Sequence, residues 1–239
     1  TALAAQLCGV EDRMVFSEND GPRKAIVSDL SPIATFIAHN YTSDIDLYHF
    51  TEAFTALMNG IHSQFDWMYE TKHPDGSIGK INYTVWSDVF ICPSCLQEVV
   101  FWDAAVDQSD GKVNKEFPCP HCGATLEKRS MNRAFTTFYD EAIKETIKQA
   151  KQVPVLINYT LGKKRYEKKP DSFDLALIQK IEKSDIPYWF PTDQLPDGYN
   201  TQQPKGSHGI THVHHFYTKR NLQIMNHFFA KITKLTQTV

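Results

Sequence analysis

Apolar residues recur at three- and four-residue steps between Asp44 and about Glu70: Leu47, Phe50, Phe54, Leu57, Met58, Ile61, Phe65 and Met68. That spacing lays one stripe along a long amphipathic helix packed on a core, closed by the turn residues His73-Pro74-Asp75-Gly76. Upstream, Thr1 to Leu7 reads as the later turns of a helix, with Leu3, Leu7 and Val10 on one face and Gly9 as its stop. The loop Glu18 to Pro22 follows. Lys24 to Ser28 then reads as a short strand ending at Asp29. Ser31-Pro32 starts another helix, Ser as N-cap and Pro at the first helical position, with Ile33, Phe36 and Ile37 on the buried face. Helix, buried strand, acidic residue, helix is the order found in half of a nucleotide-binding α/β sheet.

Further along, residues 133–152 carry a weak helical pattern whose lower part fits a strand equally well. Val153 to Tyr159 and Lys163 to Lys169 predict a hairpin around Leu161-Gly162. Ser172 to Lys183 is a short amphipathic helix, Pro187 to Gly209 is loop-rich, and a last amphipathic helix runs from about Asn221 to Leu235. There is no internal repeat.

The chain has 239 residues, 41% hydrophobic and 22% charged, an ordinary globular composition and not a disordered one. No apolar run nears the roughly 18 residues that cross a bilayer, and no signal-peptide pattern opens the chain, so a cytoplasmic protein is expected. Thr1, in place of a start methionine, suggests a piece of something longer. The net charge of −3 hides an asymmetry: residues 1–110 hold 5 Lys/Arg against 16 Asp/Glu, and residues 111–239 hold 20 against 12. Such a split fits a second half facing a polyanion, or two faces that neutralise each other.

Cysteine spacing is more decisive. Cys92-Pro93-Ser94-Cys95 and Cys119-Pro120-His121-Cys122 are two knuckles, each after a strand-like run (Val85 to Ile91, Val113 to Phe117). Each turn points two sulfurs the same way, so four thiolates can surround one structural zinc with no open position. Two disulfides or a redox pair are the rivals, but adjacent pairs staple no long loop, and no secretion signal is present. Cys8 is left over as a core thiol.

Three other groups could carry chemistry. Asp29, at a strand end, could accept the hydroxyls of a ribose, or else cap the helix after it. The run Ser207 to Asn221 holds His208, His212, His214 and His215; as a strand it would put His212 and His214 on one face, a spacing that can hold a metal. Histidines beside Thr218-Lys219-Arg220 at a helix start fit bases and phosphates better, so His212, His214, Lys219 and Arg220 are candidate nucleic-acid contacts. Lys163, Lys164, Arg165, Lys168 and Lys169, interleaved with Tyr166, suit phosphate contact and stacking, or form a solvated hairpin tip.

The stretch Arg23 to Ala38 (RKAIVSDLSPIATFIA) resembles the second conserved motif of bacterial S-adenosylmethionine-dependent DNA methylases, which modify the exocyclic amine of adenine or cytosine. Trp86-Ser87-Asp88 leading into the knuckles, Val153 to Tyr159, and the His-rich run are similar to a subgroup with an internal zinc ribbon. The resemblance covers most of the chain. It implies that Thr1 to Leu7 continues the helix after a cofactor-binding glycine loop, that Asp29 binds the ribose of the cofactor, and that Leu30 lies beside its adenine. The glycine loop and the Asp-Pro-Pro-aromatic tetrapeptide that holds a flipped target base are absent from these residues. In the family's order they flank the segment, so the chain looks like the middle of a methylase, without turnover of its own.

The expected fold is mixed α/β. A partial Rossmann-like element (1–43) is followed by the long helix and turn (44–79) and a zinc ribbon (80–128). A basic hairpin and helix (129–206) serve as target-recognition region, and the His-rich segment and last helix close the chain (207–239). Expected cofactors are structural zinc and, in the parent, S-adenosylmethionine. Expected partners are double-stranded DNA, the remaining parts of the same methylase and a restriction-system protein, with no membrane. The rival expectation is a non-catalytic zinc-ribbon module binding nucleic acid or protein. A third is a metallohydrolase on His208, His212 and His214.

Overall fold

A computed structural model describes residues 25–237, with side chains to residue 234. The helix expected at Thr1 to Leu7, the loop at Glu18 to Pro22 and the thiol of Cys8 lie outside the described residues. The chain divides into two compact units, Thr1–Ala56 and Leu57–Val239.

In the first unit, residues 25–29 form no strand, and Ile26 and Leu30 are fully exposed. A strand persists only where a neighbour completes its ladder, and none of the described residues pairs with this run. The helix after it does form. α1 spans Pro32–Thr42 with Ser31 as N-cap and Pro32 at its start, although the Ser31 side chain makes no capping bond. Ile33, Phe36 and Ile37 are exposed, so the face expected to be buried is uncovered. α2 spans Leu47–Phe65, its residues from Leu57 onward belonging to the second unit, and only Ile61 and Phe65 of that second part are buried along it. A 3-10 turn, Asp66–Tyr69, ends that apolar stripe with Met68 buried.

The second unit is organised on one long strand. β1 (Glu70–Lys72) turns into β2 (Ile78–Ile91), whose 14 residues pair with four other strands. β3 (Glu98–Val100) leads into the short helix α3 (Phe101–Ala105). The hairpin β4 (Glu116–Pro118) and β5 (Thr125–Glu127) carries the second knuckle. β6 (Asn132–Arg133) follows, and then the hairpin β7 (Phe135–Asp140) and β8 (Glu145–Ala150). The ambiguous stretch at 133–152 is therefore strand, not helix. β9 (Gln152–Leu161) and β10 (Lys164–Lys168) form the expected hairpin, with Leu161 paired to Lys164 and Gly162 at φ 61° in the turn.

β1-β2-β9-β10 is antiparallel throughout, and β3 and β6 pair with the far end of β2. Register shifts between Ile81 and Tyr83 and between Val85 and Trp86 bend the ladder of β2 with β9. Helices complete the unit: α4 (Ser172–Lys183) where expected, α5 (Tyr199–His208) inside the stretch read as loop, and α6 (Lys219–Gln237). α4 begins with a reciprocal cap between Asp171 and Asp174.

Three apolar clusters hold this unit. Phe90, Val99, Phe117, Leu126 and Met131 surround Cys92 and Cys119. Ile61, Phe65 and Met68 pack on Leu177 and Ile181. Ile81, Ile157 and Tyr159 fill the sheet. Mixed α/β architecture with an antiparallel sheet is thus present, and the Rossmann-like element is not formed among the described residues. Among the described residues, no helix is long and apolar enough to cross a membrane.

Candidate functional site

The metal centre follows from two matching turns. In one, the Cys92 amide donates to the Gln97 carbonyl at 2.9 Å and the Leu96 amide to the Cys92 carbonyl at 2.9 Å. In the other, the Cys119 amide donates to Ala124 at 2.8 Å and the Gly123 amide to Cys119 at 2.9 Å. Both turns close through a left-handed residue, Leu96 at φ 60° and Gly123 at φ 74°. The result brings all four sulfurs within 4.8 Å of one another. Cys92 and Cys122 lie 3.9 Å apart, Cys95 and Cys119 3.8 Å. A tetrahedron with Zn–S bonds of about 2.3 Å has edges of about 3.8 Å, whereas a disulfide needs about 2.05 Å. The cluster can hold a metal ion such as zinc.

Without a cation these thiols conflict over protons. The Cys95 amide, helped by that of Ser94, pulls Cys92 down to about 6. The Gln97 amide also acts to lower Cys95, but burial and the three neighbouring thiols push it up to about 12. A dication removes the conflict by deprotonating every ligand.

The histidines do not form the expected arrangement. Residues 213–216 are a 3-10 turn, Val213–Phe216, so His212 and His214 do not alternate as on a strand. Instead His214 Nε2 and His215 Nε2 both reach Oδ2 of Asp140, at 2.8 and 2.9 Å. His214 and Asp140 are buried, and His208 bonds Ser207. The His208–His212–His214 metal set is therefore not assembled. Asp140, His214 and His215 do bring ligand atoms within 4.8 Å. However, His215 Nδ1 accepts from the amides of Thr211 (3.2 Å) and His212 (3.4 Å), which places its proton on Nε2, pointing at Asp140. That proton stands where an ion would sit, so the trio reads as a hydrogen-bonded clasp between β7 and the 3-10 turn. Burial opposes ionisation of Asp140, yet the two imidazoles and the Ala142 amide hold its carboxyl below the usual range. Burial likewise keeps His215 below the ordinary imidazole value, against the pull of Asp140. Asp140 lies 74 residues from His214, and no local signal joins them.

The basic hairpin separates into a free set at its tip and a paired set at its base. The side chains of Lys163, Lys164 and Arg165 are exposed and make no hydrogen bond or ion pair among the described residues. Lys168 turns inward. It donates to the Lys72 carbonyl and pairs with Asp171 (2.7 Å) and with Asp174 (2.8 Å), the latter carboxylate being 1% exposed. Lys169 pairs with Asp103 at 3.0 Å. Tyr166 packs against Tyr159 and His73 and is no open stacking platform. Lys219 donates to the Glu182 carbonyl, Arg220 is partly buried over the Tyr69 ring, and His214 is buried. Lys168, Arg220 and His214 are therefore withdrawn from an open phosphate-facing surface.

Asp29 stands where α1 begins, one carboxylate oxygen accepting from the Ser31 amide at 2.8 Å. Its other oxygen has no partner among the described residues, and Leu30 beside it is fully exposed. No family model, curated protein or solved structure matches this chain.

Proposed function

We propose that the chain is an interior segment of an S-adenosylmethionine-dependent DNA amino-methyltransferase, its zinc ribbon stabilising the sheet that presents a basic tip to DNA. The observation that carries this reading is the run from Arg23 to Ala38, with Asp29 at the entry of α1 and one of its oxygens still available. In the parent, Asp29 would accept the ribose hydroxyls and Leu30 would cover one face of the adenine. The uncovered apolar face of α1 (Ile33, Phe36, Ile37) agrees with a helix that packs on further parts of such an enzyme.

Lys163, Lys164 and Arg165 are the phosphate contacts in this reading. They sit at one end of the β2 ladder and the knuckles at the other. The 11 residue steps from Lys80 to Ile91 span about 36 Å at about 3.3 Å each. The metal would therefore act as a brace at a distance and not as a contact to the same phosphates.

The test has two parts. Duplex DNA binding by the zinc-loaded chain at two salt concentrations should be salt-sensitive, and the parent gene product should transfer a labelled methyl group to DNA. Salt-sensitive binding without methyl transfer by the parent would replace this reading with the non-catalytic zinc-ribbon module. Absence of both would remove the DNA assignment.

A further inference from the structure

Arg220 is a charge inside the second unit that lacks a hydrogen-bond answer among the described residues. Its Nε is out of reach of solvent and has no hydrogen-bond partner. The guanidinium makes no hydrogen bond or ion pair among the described residues, only a stacking contact 5.1 Å from the centre of the Tyr69 ring. Burial, offset in part by Tyr69 and Glu182, lowers its proton affinity. A buried charged donor normally finds an acceptor, because leaving it unpaired costs far more than the bond gains.

Arg220 also lines a cavity of about 350 Å³. Tyr83 and Trp86 of β2 form part of its wall and are both partly exposed, as ring faces open to a ligand would be. Asn221, also in the wall, keeps an exposed side-chain amide with no partner among the described residues. Glu182 lies in the lining too, its carboxyl pushed up by burial. A guanidinium fork selects an oxyanion, and neighbouring aromatic rings with an amide select a flat heterocycle.

We infer that this cavity binds a nucleotide unit, its phosphate on Arg220 and its base against Tyr83 and Trp86. The inference rests on the DNA-facing reading only for the source of that nucleotide, which is either a strand of DNA or a free nucleotide. Its chemistry is the same in both cases.

The experiment uses the zinc-loaded 239-residue chain and follows tryptophan fluorescence. It is titrated with a single-stranded pentanucleotide, an abasic strand of equal length, and a free nucleoside monophosphate. The base-bearing strand should bind more tightly than the abasic one. Arg220→Met should weaken it about tenfold or more, the usual worth of a charged hydrogen bond. Because that change removes an unpaired charge and keeps the packing on Tyr69, the melting temperature should hold or rise. Asn221→Asp, on an exposed side chain, supplies a second variant that should weaken the strand several-fold by like-charge repulsion, and Glu182→Gln should tighten it.

Equal affinity of Arg220→Met and the unaltered chain would overturn the inference, as would equal affinity for abasic and base-bearing strands. A lowered melting point with unchanged binding would make Arg220 a packing residue. Free nucleotide bound as tightly as the strand would keep the cavity and remove DNA as its source. Salt-sensitive duplex binding untouched by Arg220→Met would remove the cavity and keep the DNA-facing reading.

Discussion

Lys168→Met separates the structural lysines of the hairpin from those free to meet a ligand. Lys168 is 14% exposed at its side chain and faces Asp174 at 1%. Removing the ammonium leaves Asp174 with the Thr71 hydroxyl at 2.6 Å and the Asp171 amide at 2.9 Å, but without a cation. Breaking one partner of a buried pair costs about 3–5 kcal/mol, and the two surviving bonds place this case near the lower end. The same substitution at Lys164, which is exposed, should change stability by no more than about 0.5 kcal/mol. Urea unfolding of the zinc-loaded variants measures both. As a control, Lys168→Met combined with Asp174→Asn should recover much of the loss, since the orphaned charge is then gone while an amide oxygen can still accept from Thr71. Loss of less than about 1 kcal/mol in Lys168→Met would refute the buried-pair account and return Lys168 to the set of candidate DNA contacts.

Other outcomes follow from the same structure. Cys92→Ser should lower bound zinc from one per chain to none and reduce stability by several kcal/mol, read by metal analysis and thermal melting; unchanged values would end the metal assignment. Leu96→Gly should raise the melting point by the equivalent of about 1 kcal/mol, because Leu96 holds φ 60° and is exposed. Gly209→Ala should destabilise by about 2 kcal/mol or more, since a Cβ there would sit 2.0 Å from the Lys148 carbonyl oxygen at φ +69°; a normal melt would show that contact to be slack. His215 and His227 are both held below the ordinary imidazole value, burial being the first cause in each. The unfolded chain then binds their protons first, so this stability is complete above about pH 6.5 and falls as pH drops through the window below it. His227→Gln should flatten the fall measured by denaturation between pH 7.5 and 5, and an unchanged slope would exclude His227 as a source.

Legibility from the chain tracked how local each interaction was. The knuckles declare themselves because six residues contain both sulfurs, the turn and its bonds. The hairpin at Gly162 and the helix at Ser172 are local for the same reason. The strand expected at Lys24 to Ser28 needs a partner from elsewhere, while the 133–152 hairpin, though local, turns through Lys144 at φ 59° with no glycine to announce it. Charge runs misled most. Lys163 to Lys169 looks uniform, but Lys168, at the base of the hairpin, meets the buried carboxylate of Asp174, whereas Lys164 on the same strand face stays exposed at the tip. The His-rich run resembled an alternating strand, whereas its one close acidic partner comes from a distant hairpin. Arg220 looked like one more surface cation, and only packing reveals that it is enclosed.

The position of the knuckles on β2 also bears on how quickly that strand can find its mate. Asp88 meets Gln152 across 64 residues of intervening chain, a slow closure for an antiparallel pair. Joining Cys92 to Cys122 bridges 30 of those residues and cuts the effective loop to little more than half. Since each halving of a loop lowers its closure entropy by only about 0.6 kcal/mol, a metal held there would speed the search by about threefold at most. The grip of a four-cysteine zinc site on the folded form would be far larger. Zinc should therefore slow unfolding much more than it hastens folding, making the metal a determinant of how long the sheet persists once formed.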